Sequence, residues 1–255
     1  MANKKEILDY WNDQAIKYQE SPLATTPDII SFEMEMNIIL KELKDGQTVL
    51  NIGCGNGVKD IEYCRKKQIF LKGIDFSQSM IDIAQSQMGT VADLIGTLRF
   101  EHGDVLNLKE PIKYDVVITN RCLINLENED QQLQAISNIY DALSENGVFL
   151  MLECTLKGLE NINSVRKGFE LEQIEERWHN KYLNEEKVLE YIRSKFKRVE
   201  IDNFNSTYFL ISRTLNALMT KPTEEINYTS EINRFAAKLP SIGEYAPLKL
   251  FKLLK

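Results

Sequence analysis

Histidine is scarce: two residues in 255. The four cysteines, Cys54, Cys64, Cys122 and Cys154, show no C-x-x-C spacing. With only His102 and His179 beside them no zinc site can be read, and no metal is expected. Free cysteines in an otherwise ordinary composition predict a reducing, cytoplasmic setting. Long apolar runs are missing too. None approaches the roughly 18 residues of a membrane span, and the opening MANKKEILDYWND holds no apolar signal core, so no membrane partner is expected. Basic residues are in deficit: 31 Lys and Arg against 38 Asp and Glu give a formal charge of -7 and a pI near 5.1. Affinity for a phosphate backbone rests on clustered Lys and Arg, so no nucleic-acid partner is expected. Internal repeats and low-complexity stretches are also absent from the sequence.

What is present is a stretch from Thr48 to Asp75, TVLNIGCGNGVKDIEYCRKKQIFLKGID. A short apolar run, Val49 to Ile52, leads into Gly53, Gly55 and Gly57. A helix-like segment, Val58 to Lys67, follows, and then a second apolar run, Ile69 to Ile74, closed by Asp75. Strand, tight turn, helix, strand and acid form the first half of a nucleotide-binding crossover unit. The turn feeds a helix N-terminus, whose unpaired N–H groups favour a polar or anionic ligand. Asp75 lies about 22 positions after Gly53, the spacing at which an acid at the second strand's tip accepts ribose hydroxyls. A dinucleotide fingerprint wants Gly-x-Gly-x-x-Gly, but Val58 stands where its third glycine belongs.

NIGCGNG followed by GIDFS resembles motif I and its partner acid in the class I S-adenosylmethionine-dependent methyltransferases, and the resemblance covers roughly the first 155 residues. It implies a Rossmann-like, doubly wound, seven-stranded and mostly parallel sheet, with an antiparallel last strand and helical insertions over the substrate cleft. It implies S-adenosylmethionine as cofactor, released as S-adenosylhomocysteine. It also implies one domain over 1–255: N-terminal helices and lid over 1–45, a cofactor-binding core over 46–154, and substrate-side insertions over 155–196 and 205–246. Gly53, Cys54, Gly55 and Gly57 would cradle the cofactor, with Asp75 on the ribose. Phe76 and Met80 would border the adenine, or simply pack. Asp104-Val105 resembles the Gly-Asp-apolar motif, whose carboxylate takes the adenine amino group. The Tyr-Trp…Ala-x-x-Tyr pattern is similar to an N-terminal lid in which Trp11 and Tyr18 screen the reacting centre from water. Aromatic packing on the core is the alternative for that pair.

YDVVITN, Tyr114 to Asn120, is a continuous apolar run, the mark of a strand buried on both faces. It resembles motif IV, so Asn120, Arg121 and Cys122 at its tip should face the methyl group. The tip lacks Asn/Asp-Pro-Pro-Tyr/Phe, which argues against methylation of nucleic-acid bases. Arg121 could anchor an acidic acceptor or the cofactor carboxylate, or serve a structural ion pair. Val148 to Glu153 reads as the fifth strand, with Glu153 pointing to the substrate side. A hydroxyl acceptor calls for a general base, and the candidates are His179, preferred over His102, and Glu153. Tyr182, Tyr208 and Arg213 are further polar candidates.

Elsewhere, helices are expected over 4–20, Asp28 to Leu43, Asp130 to Leu143, Val165 to His179 and Asn184 to Phe196. Ser77 or Ser79 should cap the helix after the second strand. Lys197 to Phe204 is a strand candidate, Tyr208 to Leu218 a strand or helix, and Leu248 to Leu254 the favoured antiparallel last strand. The reading that results is methyl transfer to a small molecule or saccharide, at oxygen rather than nitrogen, by a monomer or homodimer. An NAD-dependent oxidoreductase and a non-catalytic S-adenosylmethionine-binding protein are the competing readings.

Overall fold

A computed structural model describes residues 3–220 and 226–255; expectations touching residues 1, 2 and 221–225 lie outside the described residues. Among the described residues seven strands form one sheet: β1 (Thr48–Ile52), β2 (Phe70–Asp75), β3 (Thr97–His102), β4 (Tyr114–Asn120), β5 (Leu143–Cys154), β6 (Arg198–Asp202) and β7 (Leu248–Leu254). Their order is β3-β2-β1-β4-β5-β7-β6. β1 runs parallel to both β2 and β4, while β7 lies antiparallel between β5 and β6. Of the C-terminal strand candidates, Lys197 to Phe204 supplies β6 and the favoured Leu248 to Leu254 is β7, the antiparallel strand, whereas Tyr208 to Leu218 forms no strand. Strand order reverses beside β1, and a crevice opens at such a switch point, outside the strands' C-terminal ends.

The helices α1 (Lys4–Tyr18), α2 (Ile29–Glu42), α3 (Val58–Lys66), α4 (Gln78–Met88), α5 (Glu129–Ala142), α6 (Leu156–Gly168) and α7 (Glu185–Lys195) are followed by α8 (Ser206–Arg213), α9 (Leu215–Met219) and α10 (Glu231–Ala236). The chain sets several of their starts locally. Asn3 and Glu6 form a reciprocal capping box on α1. Ser77, not Ser79, caps α4, its hydroxyl accepting from Met80 N–H at 3.1 Å. Asn184 caps α7 as expected, with Glu185 and Glu186 in the first turn where the helix dipole favours them.

Alternate residues of β1 enter different clusters: Val49 packs with Ile39, Cys64 and Leu150, and Leu50 with Ile136, Phe149 and Leu253. A strand's period of two puts these clusters on opposite faces of the sheet. The sheet is thus covered on both sides, and ligand access is left to its edge.

The helix expected over Val165 to His179 is not there. The structure places α6 about ten residues earlier, with Thr155 Oγ1 accepting from Gly158 N–H at 3.2 Å. Gly158 permits this close seat, because a Cβ would meet Ala246 O at 2.2 Å. The chain leaves α6 through Glu170 at φ 56°. The Asn163 amide then holds Ile174 by both N–H and C=O, at 2.8 and 2.9 Å. A side chain that satisfies the backbone this way competes with helix formation, and tertiary context overrides propensity. Tyr208 to Leu218 is helical, split into α8 and α9 at Thr214.

Candidate active site

A cavity of about 410 Å³ opens at the C-terminal edges of β1, β2 and β4. The glycine loop makes its floor. Gly53 has φ 75°, and a Cβ there would lie 2.8 Å from Cys122 Cβ and Sγ, so the backbone approaches the β4 tip as only glycine allows. Cys54 and Gly55 also line the cavity. Gly57 does not. It starts α3 at φ 81°, where a Cβ would sit 2.6 Å from Phe100 Cζ, so its role is to pack the turn.

Asp75 reaches the cavity from the tip of β2. Its Oδ2 accepts from Gly55 N–H and its Oδ1 from Ser77 N–H, both at 2.9 Å. Burial raises its carboxyl above the ordinary carboxylate value, and these backbone N–H groups only partly offset that. One carboxylate thereby fixes the glycine loop, the start of α4 and one wall of the cavity. Phe76, Met80 and Val105 lie on the wall as well. Asp104 is there too, with its Oδ1 accepting from Leu106 N–H at 2.9 Å and its Oδ2 from Lys4 Nζ at 2.6 Å. Burial alone would raise the Asp104 carboxyl, but the Lys4 ammonium and the Leu106 N–H outweigh it and hold it below its usual range.

Trp11 lines the cavity and donates to Asn125 Oδ1 at 3.2 Å. Tyr18 is not on the wall; it packs with Ala15, Ala24 and Met80. The two expected lid aromatics are therefore not brought together over the cleft.

Glu153 departs most from expectation. It is fully buried, off the cavity wall, and turned beneath residues 122–124. It accepts from the N–H groups of Cys122 (3.1 Å), Leu123 (3.0 Å) and Ile124 (3.4 Å). A helical turn presents unpaired N–H groups at its start, and the nearest carboxylate satisfies them. Burial still raises this carboxyl to about 7.

His179 does line the cavity, inside an aromatic cluster. Its ring stacks on Tyr10 at 4.3 Å and meets Trp11 and Trp178 edge-on. Burial, with Arg177 adding to it, lowers the imidazole to about 4, and Nδ1 has no partner among the described residues. A neutral ring this weakly basic suits packing and water exclusion better than proton removal.

Asn120 is on the wall, and both of its amide atoms are buried and unpaired, near Glu35 but outside hydrogen-bond geometry. Arg121, at φ 52°, donates from Nη2 to Glu35 Oε2 at 3.0 Å. Lys59 Nζ reaches the same oxygen at 2.6 Å. Glu35, Lys59 and a second buried pair, Asp28–Arg213 at 2.6 Å, line the cavity and were not singled out from the sequence, apart from Arg213. No local signal marked Glu35, because α2 also carries Glu33, Asn37, Lys41 and Glu42, so an acid buried there reads like a solvated one. Of the other polar candidates, Tyr182 lines the cavity, whereas Tyr208 lies behind it, donating to Asp28 Oδ1 at 2.7 Å.

Beneath the glycine loop, Asp60 is fully buried and accepts from Asn51 Nδ2 at 2.5 Å, while its Oδ2 is unpaired. Burial raises this carboxyl to about 8 against the pull of Asn51 and Lys59. A carboxyl raised on folding contributes stability below its ordinary value that is lost as pH rises towards the folded value. The melting temperature should therefore fall between about pH 5 and pH 8, and Asp60→Asn should flatten that slope. Thermal melts of both proteins across this range check it; parallel slopes would refute it.

The residues present fit an adenosyl cofactor with an amino-acid tail: a floor stripped of Cβ atoms, an acid at the β2 tip and an unpaired amide at the β4 tip. Among known proteins, residues 43–208 match the family described as a methyltransferase domain. The 27-O-demethylrifamycin SV methyltransferase of Amycolatopsis mediterranei (strain S699) is 27% identical over 109 residues, covering 42% of this chain and 37% of that protein. The chain spans well under two thirds of the length of the curated relatives it matches. A magnesium protoporphyrin IX methyltransferase from Synechocystis PCC 6803, solved with bound S-adenosylhomocysteine, superposes with a TM-score of 0.62 at 14% identity, over 99% of this chain and 100% of that one. The N-methyltransferase NodS from Bradyrhizobium japonicum WM9 gives 0.54 at 13% identity, over 91% and 98%. At these identities the two structures speak for the fold alone.

Proposed function

This chain belongs to the methyltransferase-domain family of Rossmann-like, S-adenosylmethionine-dependent proteins, and on that premise we propose that it methylates an oxygen of a small molecule or saccharide. The observation that carries the reading is the enclosure. One cavity of about 410 Å³ is walled by the glycine loop on one side and by residues of α1, α2 and both insertions on the others. A pocket of this size takes a metabolite-sized acceptor rather than a folded macromolecule. The four free cysteines fit a reducing cytoplasm.

When bound, the cofactor supplies an electrophilic methyl group; the chain's task is to hold, align and keep dry. Asp75 would accept the ribose hydroxyls, and Phe76 and Met80 would flank the adenine. Asp104 would take the adenine's amino edge once Lys4 shares or yields its place. The Asn120 amide would lose its unpaired state against polar atoms of the amino-acid tail or the acceptor. Trp11 and His179 close the cleft with apolar surface, which strengthens the electrostatics inside.

Isothermal titration with S-adenosylhomocysteine tests the cofactor half. Binding with a micromolar or tighter dissociation constant is expected, and heat indistinguishable from dilution would overturn the reading. Screening sugar nucleotides and hydroxylated and amino metabolites for S-adenosylhomocysteine release tests the acceptor half. Turnover confined to amines would move the chemistry from oxygen to nitrogen.

A further inference from the structure

On one part of the cavity wall two cations share a single carboxylate. Glu35 is fully buried, and its Oε2 serves two cations from separate elements, Lys59 of α3 and Arg121 at the β4 tip. Asp60 lies off the wall, its carboxyl raised to about 8 by burial, and Glu153 is committed to the N–H groups of the 122–124 turn. Asp28 is already matched by Arg213. Lys59 and Arg121 thus divide one carboxylate oxygen in an enclosure where an unmatched charge is costly.

Arg121 is built to receive a further anion. Only its Nη2 bonds to protein among the described residues, and its side chain keeps 24% exposure, on the cavity side. Its backbone is clamped at both ends. Its N–H donates to Leu152 O at 2.8 Å, and its C=O accepts from Asn125 Nδ2 at 2.7 Å. A non-glycine residue at φ 52° held this firmly suggests strain kept for a site. The planar guanidinium edge matches the two oxygens of a carboxylate.

Neither base expected from the sequence, His179 or Glu153, stands free on the wall. The His179 ring is packed among three aromatic rings and weakly basic, and Glu153 is sealed under its turn. Resting on the methyltransferase reading above, the geometry points to a small carboxylic acid as the acceptor, seated on Arg121 and Lys59 and converted to its methyl ester. Such an acceptor arrives ionised. Its oxygen gains the methyl group as the sulfur–carbon bond breaks and the electron pair stays on sulfur; no proton moves and no base is needed.

A carboxylate on Arg121 could instead be the cofactor's own, and the test separates the two. Arg121→Met leaves Glu35 paired with Lys59, so the variant should fold, which a thermal melt confirms. Isothermal titration with S-adenosylhomocysteine should give affinities for wild type and variant within about threefold. A tenfold or greater loss assigns the subsite to the cofactor and overturns the proposal. With S-adenosylhomocysteine saturating, ligand-observed NMR then compares acetate, benzoate, 4-hydroxybenzoate and decanoate with their amides. At least one acid should bind tenfold better than its amide in wild type and lose that margin in Arg121→Met. No preference for acid anywhere in the panel, including no binding, overturns the proposal. Failure of the wild type to bind S-adenosylhomocysteine at all would instead sink the methyltransferase reading on which it stands.

Discussion

Replacing Asp75 with alanine is expected to weaken S-adenosylhomocysteine binding about 10- to 150-fold, or about 1.5–3 kcal/mol, the usual loss for a hydrogen bond to a charged acceptor. The structure adds a second contribution. Asp75 already accepts from Gly55 N–H and Ser77 N–H, so the ribose would use the lone pairs that remain. Alanine removes the ribose acceptor and also orphans two N–H groups in a buried turn, loosening the loop that forms the floor. The melting temperature of the ligand-free variant reports that structural share. Asp75→Asn is no neutral control, since its amide would face one of those two N–H groups with a donor of its own. Isothermal titration of the alanine variant decides the matter. Unchanged affinity would show that the ribose lies elsewhere and that the acid serves only the turn.

That double duty explains why this part of the site was legible in the chain. β1, the glycine turn, α3, β2 and Asp75 lie within about 28 consecutive residues, and each is dictated by its immediate neighbours: apolar runs, residues at positive φ, an acid at a fixed spacing. β4 was legible for a similar reason, because a strand buried on both faces writes a continuous apolar run. The rest of the wall is assembled across distance. Glu35 meets Lys59 and Arg121 at sequence separations of 24 and 86, and Asp28 meets Arg213 at 185. Nothing local to Glu35 tells a buried acid from a solvated one. The helix misplaced over Val165 to His179 failed in the same way, since the Asn163 side chain and the Ala246 carbonyl decide where α6 begins and ends. Glu153 was placed correctly at the end of its strand, yet its direction depended on a turn 30 residues earlier whose N–H groups needed an acceptor.

Glu35→Ala tests the assembled part of the wall, and a loss of about 3–5 kcal/mol in stability is expected, the cost of breaking a buried ion pair by removing one partner. For a chain of this size that is a fall in melting temperature of about 6–20 °C. Two cations would be left side by side against the fully buried position that the carboxylate vacates, and Ser31 Oγ would lose its acceptor at 3.1 Å. Lys59 would suffer most. Burial, with Arg121 adding to it, already lowers its ammonium to about 8 despite Glu35, and without Glu35 only Asp60 and the Phe32 ring at 4.6 Å would steady it. The dependence on pH fixes the sign. Burial pushes the Glu35 carboxyl up, but Arg121 and Lys59 outweigh it and the net shift is downward. A carboxyl lowered on folding gives stability that is present above its ordinary value and lost as pH falls through the folded one. The gap between wild type and Glu35→Ala should therefore be widest near neutrality and close in acid. Adding Lys59→Met to Glu35→Ala should recover more than half of the loss, because Arg121 alone keeps access to solvent through the cavity. Denaturant unfolding of the three proteins at pH 7 and pH 4 measures all of this. A single-variant loss under about 1 kcal/mol, or no recovery in the double variant, would mean that the shared carboxylate does not hold this wall together.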